Sequence, residues 1–257
     1  MKIVVAIKQV PARDSQLRVD AGGKWIAESD VTFEINEPDA YALESALQLK
    51  EKNGGEVIAL CAGPARATQT IREALAKGAD RAIHIEDDKL GATDILSIGR
   101  FLASAVESER PDLLLTGLQS DDLGYGQTGV VMAELLGWPH ATIIMEIEAQ
   151  ASAIRVKREL ENGWYQHVSM PLPAVLTIQS GINKLRYASL MGIKKAKTKE
   201  VKVLRPADLN AGGASVQAAL ERVFFPEKTK QTQMLEGGAR EVAAQLVEKL
   251  KFEVRVI

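Results

Sequence analysis

One cysteine, Cys61, occurs among 257 residues, so the chain can form no internal disulfide and no thiolate zinc cluster. Only three histidines are present (His84, His140 and His167), and they are scattered without metal-ligand spacing. No stretch approaches the ~20 apolar residues of a spanning helix, and Ile3 to Ile7 is too short for a signal peptide. A soluble, cytoplasmic protein without membrane insertion is the expectation. The phosphate-loop pattern G-x-x-x-x-G-K-[ST], the nucleophile elbow G-x-S-x-G and a G-x-G-x-x-G after the first strand are all missing. Without these, no self-contained catalytic centre is visible, and the chain is not expected to be an enzyme.

Charge is scarce only on average. The formal net charge of −2 conceals the segment Gly181 to Arg205, which carries eight basic side chains against the single acid Glu200. The remainder holds 24 basic and 33 acidic residues, a balance of −9. A uniformly basic nucleic-acid footprint is therefore excluded, and the basic patch is local. Apolar residues make up 46% of the chain, enough to bury the core of one large domain or of a domain with an extension.

Short β-branched runs alternate with helical stretches. Strands are expected at Met1 to Ile7, Glu56 to Cys61, Arg81 to Ile85, Asp112 to Thr116, Thr142 to Ile147 and Ala174 to Ile178. Helices are expected from Asn36, as a capping residue, to Lys52, and over Ala65 to Lys77, Thr93 to Ser108 and Gln127 to Leu136. This rhythm predicts an α/β, Rossmann-like, open and mostly parallel sheet. Hairpins are expected at Gln16 to Ala27 and around Glu161-Asn162-Gly163. Residues 1–205 read as the α/β domain. Residues 206–257 read as a linker, loose at Asn210 to Gly213 and polar from Glu227 to Gln233, followed by a helix over Gly237 to Leu250.

In such sheets ligands gather at the carboxyl ends of the strands, beside helix N-termini. Three loops fall there: Asn36-Glu37-Pro38-Asp39, Cys61-Ala62-Gly63-Pro64, and Gly117 to Gly129 with Gln119, Asp121, Asp122, Gly124, Gly126, Gln127 and Thr128. Any one alone is most often an ordinary tight turn; the three together point to a nucleotide phosphate. Asp121 and Asp122 fit a solvated helix approach or a sugar-hydroxyl contact better than an acid–base dyad. Cys61, at an apolar strand end, reads as a small hydrophobe.

Within Gly181 to Arg205, Leu185, Tyr187, Leu190, Met191 and Ile193 sit among lysines with neither helical nor strand period. An apolar knob in a basic, irregular bed reads as a docking element.

Ordered motifs run through the chain: Val4-Val-Ala-Ile-Lys8, Asn36-Glu-Pro38, Gly63-Pro64, Thr70 to Asp80, Gln127-Thr-Gly129, Val156-Lys-Arg-Glu-Leu160, Leu172-Pro-Ala-Val175, Arg186-Tyr-Ala-Ser-Leu190 and Lys194-Lys-Ala-Lys197. On these the chain resembles the beta (small) subunit of electron transfer flavoproteins over almost its whole length. The resemblance implies a heterodimer with an alpha subunit that holds most of an FAD, with the C-terminal helix packing on that subunit. It implies a structural AMP contacted by Ala6, Asn36 to Asp39, Ala62 and Gly63, and Gly117 to Thr128. It implies docking of flavin-dependent dehydrogenases through Leu190 and Tyr187, with Lys194, Lys195 and Lys197 around them. Electrons would leave to a quinone oxidoreductase or another acceptor, as in fatty acid beta-oxidation. Glu159 matches a residue that orients the alpha subunit's flavin domain. Where some relatives place an aromatic toward the flavin, this chain has Pro11-Ala12-Arg13. Gln127-Thr-Gly129 favours AMP over the second FAD of electron-bifurcating relatives. A stand-alone adenine-nucleotide module is the alternative outside the family.

Overall fold

The computed structural model describes residues 1–212, 216–227 and 232–256. Gly213 and residues 228–231, where part of the expected linker falls, lie outside the described residues.

The chain begins on β1 (Lys2–Ala6), followed by the short strands β2 (Gln9–Pro11) and β3 (Phe33–Ile35). Helix α1 (Glu37–Asn53), β4 (Glu56–Gly63), α2 (Thr68–Lys77) and β5 (Arg81–Glu86) follow. Then come α3 (Ile95–Glu109), β6 (Leu113–Gly117), α4 (Thr128–Leu136), β7 (His140–Ala149), β8 (Ala153–Glu159), β9 (Tyr165–Pro171) and β10 (Ala174–Ile178). Last are α5 (Leu190–Ala196), β11 (Val201–Leu204) and α6 (Ala239–Glu248).

Nine strands form one sheet in the order β11-β5-β4-β1-β6-β10-β7-β8-β9. From β11 to β7 all pairings are parallel, and β8 and β9 extend the β7 edge antiparallel. The expected open, mostly parallel sheet is therefore present. Alternation along β1 assigns its side chains to opposite faces. Ile3 and Val5 join Leu43, Leu47, Ile71 and Leu75 beneath α1 and α2. Val4 joins Ile58, Leu60, Leu102, Val106 and Met132 beneath α3 and α4. A strand buried on both sides has to be apolar throughout, which is why Ile3-Val4-Val5 shows no polar alternation.

Two local expectations are corrected. The hairpin over Gln16 to Ala27 reduces to one isolated bridge between Val19 and Ile26. The ordered pairing nearby is β2 with β3, an antiparallel ribbon outside the main sheet. The docking segment is not irregular: it forms α5, and Val201 to Leu204 then pairs with β5 as β11.

The polypeptide divides into two compact units, residues 1–223 and 224–257. In the first, the stretch after β11 is held by Asp94, which accepts from the amides of Gln217 and Ala218 as well as capping α3 through Ser97. Those amides hold the Asp94 carboxyl down at about 2, the Ser97 contact being the largest cause. In the second, α6 runs on into a wide turn at Lys249–Val254.

Candidate functional site

The carboxyl ends of β1 and β6 meet the start of α1 at one buried carboxylate. Asp39 Oδ2 accepts the Lys8 amide at 2.7 Å, and Oδ1 accepts the Gly117 amide at 2.9 Å. The side chain thereby joins the loop after β1, the first turn of α1 and the end of β6. Only glycine fits at 117: a Cβ there would lie 2.3 Å from Asp39 Oδ1 and 2.7 Å from Pro38 Cβ. Burial pushes the Asp39 carboxyl up to about 7, with the Lys8 and Gly117 amides and the Asn36 side chain pulling against it.

This has a sign for stability. In the unfolded chain an aspartate titrates at about 4. Folded Asp39 holds its proton more tightly, so its contribution is full below that value and is lost as pH rises toward about 7. The difference in unfolding free energy between wild type and Asp39→Asn should therefore shrink between those limits, by on the order of 3 kcal/mol. Denaturant titrations of both proteins across that range test it; a difference independent of pH would show that Asp39 stays ionised throughout.

Asn36 ties the same loops together, but not as the helix cap expected of it. Its side chain makes no capping hydrogen bond to α1. Nδ2 donates to Gln119 O at 2.9 Å, and Oδ1 accepts the Asp121 amide at 2.9 Å. Loops 36–39 and 117–122 are thus locked side by side. The third loop approaches through β4, which runs beside β1 with Ala6 opposite Leu60. Arg66, just past Gly63-Pro64, donates to Gln9 Oε1, and Gln9 Nε2 donates to Thr70 Oγ1. Gly124 and Gly126 adopt positive φ further along the long loop, where glycine is the natural occupant. Gly129 brings α4 against the sheet, since a Cβ there would lie 2.6 Å from both Thr116 Oγ1 and Thr177 Cγ2. The first amides of α4, from Thr128 onward, have no intrahelical acceptor.

Asp121 and Asp122 do not form a dyad. Asp122 pairs with Lys8 Nζ at 2.7 Å, and Asp121 lies 3.6 Å from Arg13, which also pairs with Glu37. These carboxylates hold the Arg13 guanidinium above its usual range, Glu37 being the main cause. Lys8 joins the Gly117 loop through Asp122, a contact that the loop composition did not single out. A lysine directly after the first strand, at the carboxyl edge of the sheet, was the available signal. Cys61 is buried and its thiol is pushed up to about 12 by burial, as fits a core residue. His84 is fully buried, with Nε2 against Gly63 O, and burial lowers its pKa. Among the described residues no cluster of His, Cys, Asp or Glu could hold a metal ion. Among them, too, no helix is long and apolar enough to cross a membrane.

The basic segment is pinned at both ends and bare in the middle. Arg186 bridges Glu44 and Glu51, and Asn183 donates to Tyr41 O and Ser45 Oγ, fixing the approach to α5 against α1. Tyr187 is 97% exposed, Leu190 80% and Met191 62%, with Ile193 beside them. Lys194, Lys195 and Lys197 are exposed as well, whereas Arg186 is held inward by its two glutamates. Glu159 ends β8, half-buried, with Gln179 Nε2 3.5 Å away.

The electron transfer flavoprotein domain model matches residues 24–209. The chain is 38% identical to the electron transfer flavoprotein subunit beta of Methylophilus methylotrophus, over 96% of this chain and 97% of that one. It is 37% identical to the Bradyrhizobium diazoefficiens subunit beta over the full length of both, and 35% identical to the human one over 98% and 97%. With an α/β sheet of the expected kind and matches of this extent, the chain belongs to the electron transfer flavoprotein family as a beta subunit.

Proposed function

We propose that this chain is the half of a heterodimer that binds AMP structurally, supports an FAD held mostly by an alpha subunit, and docks flavin-dependent dehydrogenases. The observation that carries the reading is the separation of two surfaces within the first unit. The Asp39 and Asn36 junction closes the nucleotide-type loops, and Tyr187 and Leu190 stand free elsewhere on the chain. Lys8, together with the first amides of α4, suits a phosphate. Asp121 and Asp122 suit ribose hydroxyls, since acceptors are what a sugar edge requires. Redox chemistry, when FAD is bound, belongs to the flavin; the residues of this chain position it and choose the donor. Glu159, half-buried at the end of β8, is the residue we assign to bias the orientation of the alpha subunit's flavin domain. The exposed apolar side chains Leu246, Val247 and Phe252 suit burial by the alpha subunit. Electrons then pass to a quinone oxidoreductase or another acceptor, in the cytoplasm.

Acid extraction of the purified heterodimer should release about one AMP alongside the alpha subunit's flavin. Two flavins and no AMP would establish the electron-bifurcating form instead. A chain that retains a nucleotide but never co-purifies with a flavin subunit would be a stand-alone module.

A further inference from the structure

Helices α2 and α5 cap one another. Arg72, on α2, donates through Nη1 to Ala196 O at 2.6 Å and to Lys199 O at 3.0 Å, at the C-terminal end of α5. In return Lys199, just past α5, donates through Nζ to Leu75 O at 2.9 Å and to Ala79 O, at the C-terminal end of α2. One carbonyl in each pair, Ala196 O and Leu75 O, lies in the last turn of its helix, where carbonyls go unpaired and the helix dipole favours positive charge. The two helices touch closely between these caps. A Cβ at Gly192 would lie 2.3 Å from Ala76 O, and Ala196 is buried against the same surface. At its other end α5 is capped by Ser189, whose Oγ accepts the Gly192 amide at 3.0 Å.

A helix of seven residues is not stable alone in water, because nucleation costs more than so few hydrogen bonds return. The α5 helix therefore owes its order to α2. Leu190 is its first residue, and Met191 and Ile193 share the solvent-facing surface. Lys199 accordingly works inside the fold, and burial lowers its pKa.

We infer that Arg72 and Lys199 are positioning residues for partner docking: their reciprocal caps hold α5 in the conformation that presents Leu190. The inference rests on the reading of Leu190 as the anchor. Order supplied in advance is a cost that binding no longer has to meet.

The test is steady-state reduction of the FAD-loaded heterodimer by a flavin-dependent acyl-CoA dehydrogenase. Variants are Arg72→Met, Lys199→Met, Leu190→Ala, and each methionine variant combined with Leu190→Ala. Methionine keeps an apolar stem and removes the donors. Each single methionine variant should raise KM about fivefold with kcat and FAD content unchanged. Amide exchange over residues 190–199 of the free heterodimer should quicken. In the Leu190→Ala background neither should raise KM further, because the anchor they position is gone. The same fivefold factor in that background would mean general destabilisation and overturn the inference. So would an unchanged KM in both methionine variants while Leu190→Ala raises it. An unchanged KM in Leu190→Ala sinks the anchor reading itself. If Arg72→Met does not fold, Lys199→Met decides alone.

Discussion

Truncating Leu190 to alanine should raise the KM for a partner dehydrogenase about 30-fold, the effect of losing an interface hot spot worth ~2 kcal/mol. The magnitude follows from its setting. Leu190 is 80% exposed in the free chain and flanked by exposed Tyr187 and Met191, so a partner pocket can cover almost the whole side chain. The lysines around it add rate more than affinity, so their effect should fade with added salt while that of Leu190 persists. Heterodimer yield, FAD content and reduction by a small-molecule reductant should not change. Stopped-flow reduction at limiting dehydrogenase is the direct measurement, and unchanged kinetics there would remove Leu190 from the docking role.

Gly117→Ala should be the most damaging conservative change at the junction of loops 36–39 and 117–122. The added methyl meets Asp39 Oδ1, Pro38 Cβ and the Asp39 amide, all within 2.8 Å. Neither neighbour can swing aside. Pro38 is in the first turn of α1, and Asp39 is held by the Lys8 and Gly117 amides. A loss of about 3 kcal/mol is expected from overpacking, and under the proposed nucleotide role the purified heterodimer should also carry less AMP. Gly137→Ala provides the contrast. Gly137 has φ 65° with nothing within 4 Å of a Cβ, so only backbone strain applies, at about 1 kcal/mol. Unfolding midpoints and nucleotide content of the two variants give the comparison. If Gly117→Ala were the milder of the two, the junction around Asp39 would be looser than its hydrogen bonds imply.

How far the sequence reveals this molecule depends on where each element hides its apolar side chains. The parallel strands are legible because Ile3-Val4-Val5 and Leu113-Leu114-Leu115 are buried on both faces and have to be apolar without interruption. The β2 and β3 ribbon is not legible, since three residues each cannot display a period. The α5 helix fails for a different reason. Its apolar residues Leu190, Met191 and Ile193 face water, and its packed face is made of Gly192 and Ala196. Periodicity searches look for apolar residues turned inward, and this helix turns them outward. The β11 strand was masked by Lys202 between two valines, which reads as part of the basic run. In the site, loops 36–39 and 117–129 could be chosen by composition, but the roles inside them could not. Nothing local shows that Asn36 reaches across to Gln119 and Asp121 instead of capping its own helix, or that Lys8 faces Asp122.

Between β10 and β11 the chain crosses four strands of the sheet, β6, β1, β4 and β5, before it can pair again. That single long crossover carries Leu190. Its far end has no partner until β5 is in place, and non-local pairing of this kind comes late because loop closure precedes any reward. The segment that bears Leu190 is therefore ordered by contacts distant in sequence, with α2 and with the β5 edge. Helix α5 is thus tied at its far end to the pairing of β11 with β5, the outer edge of the sheet.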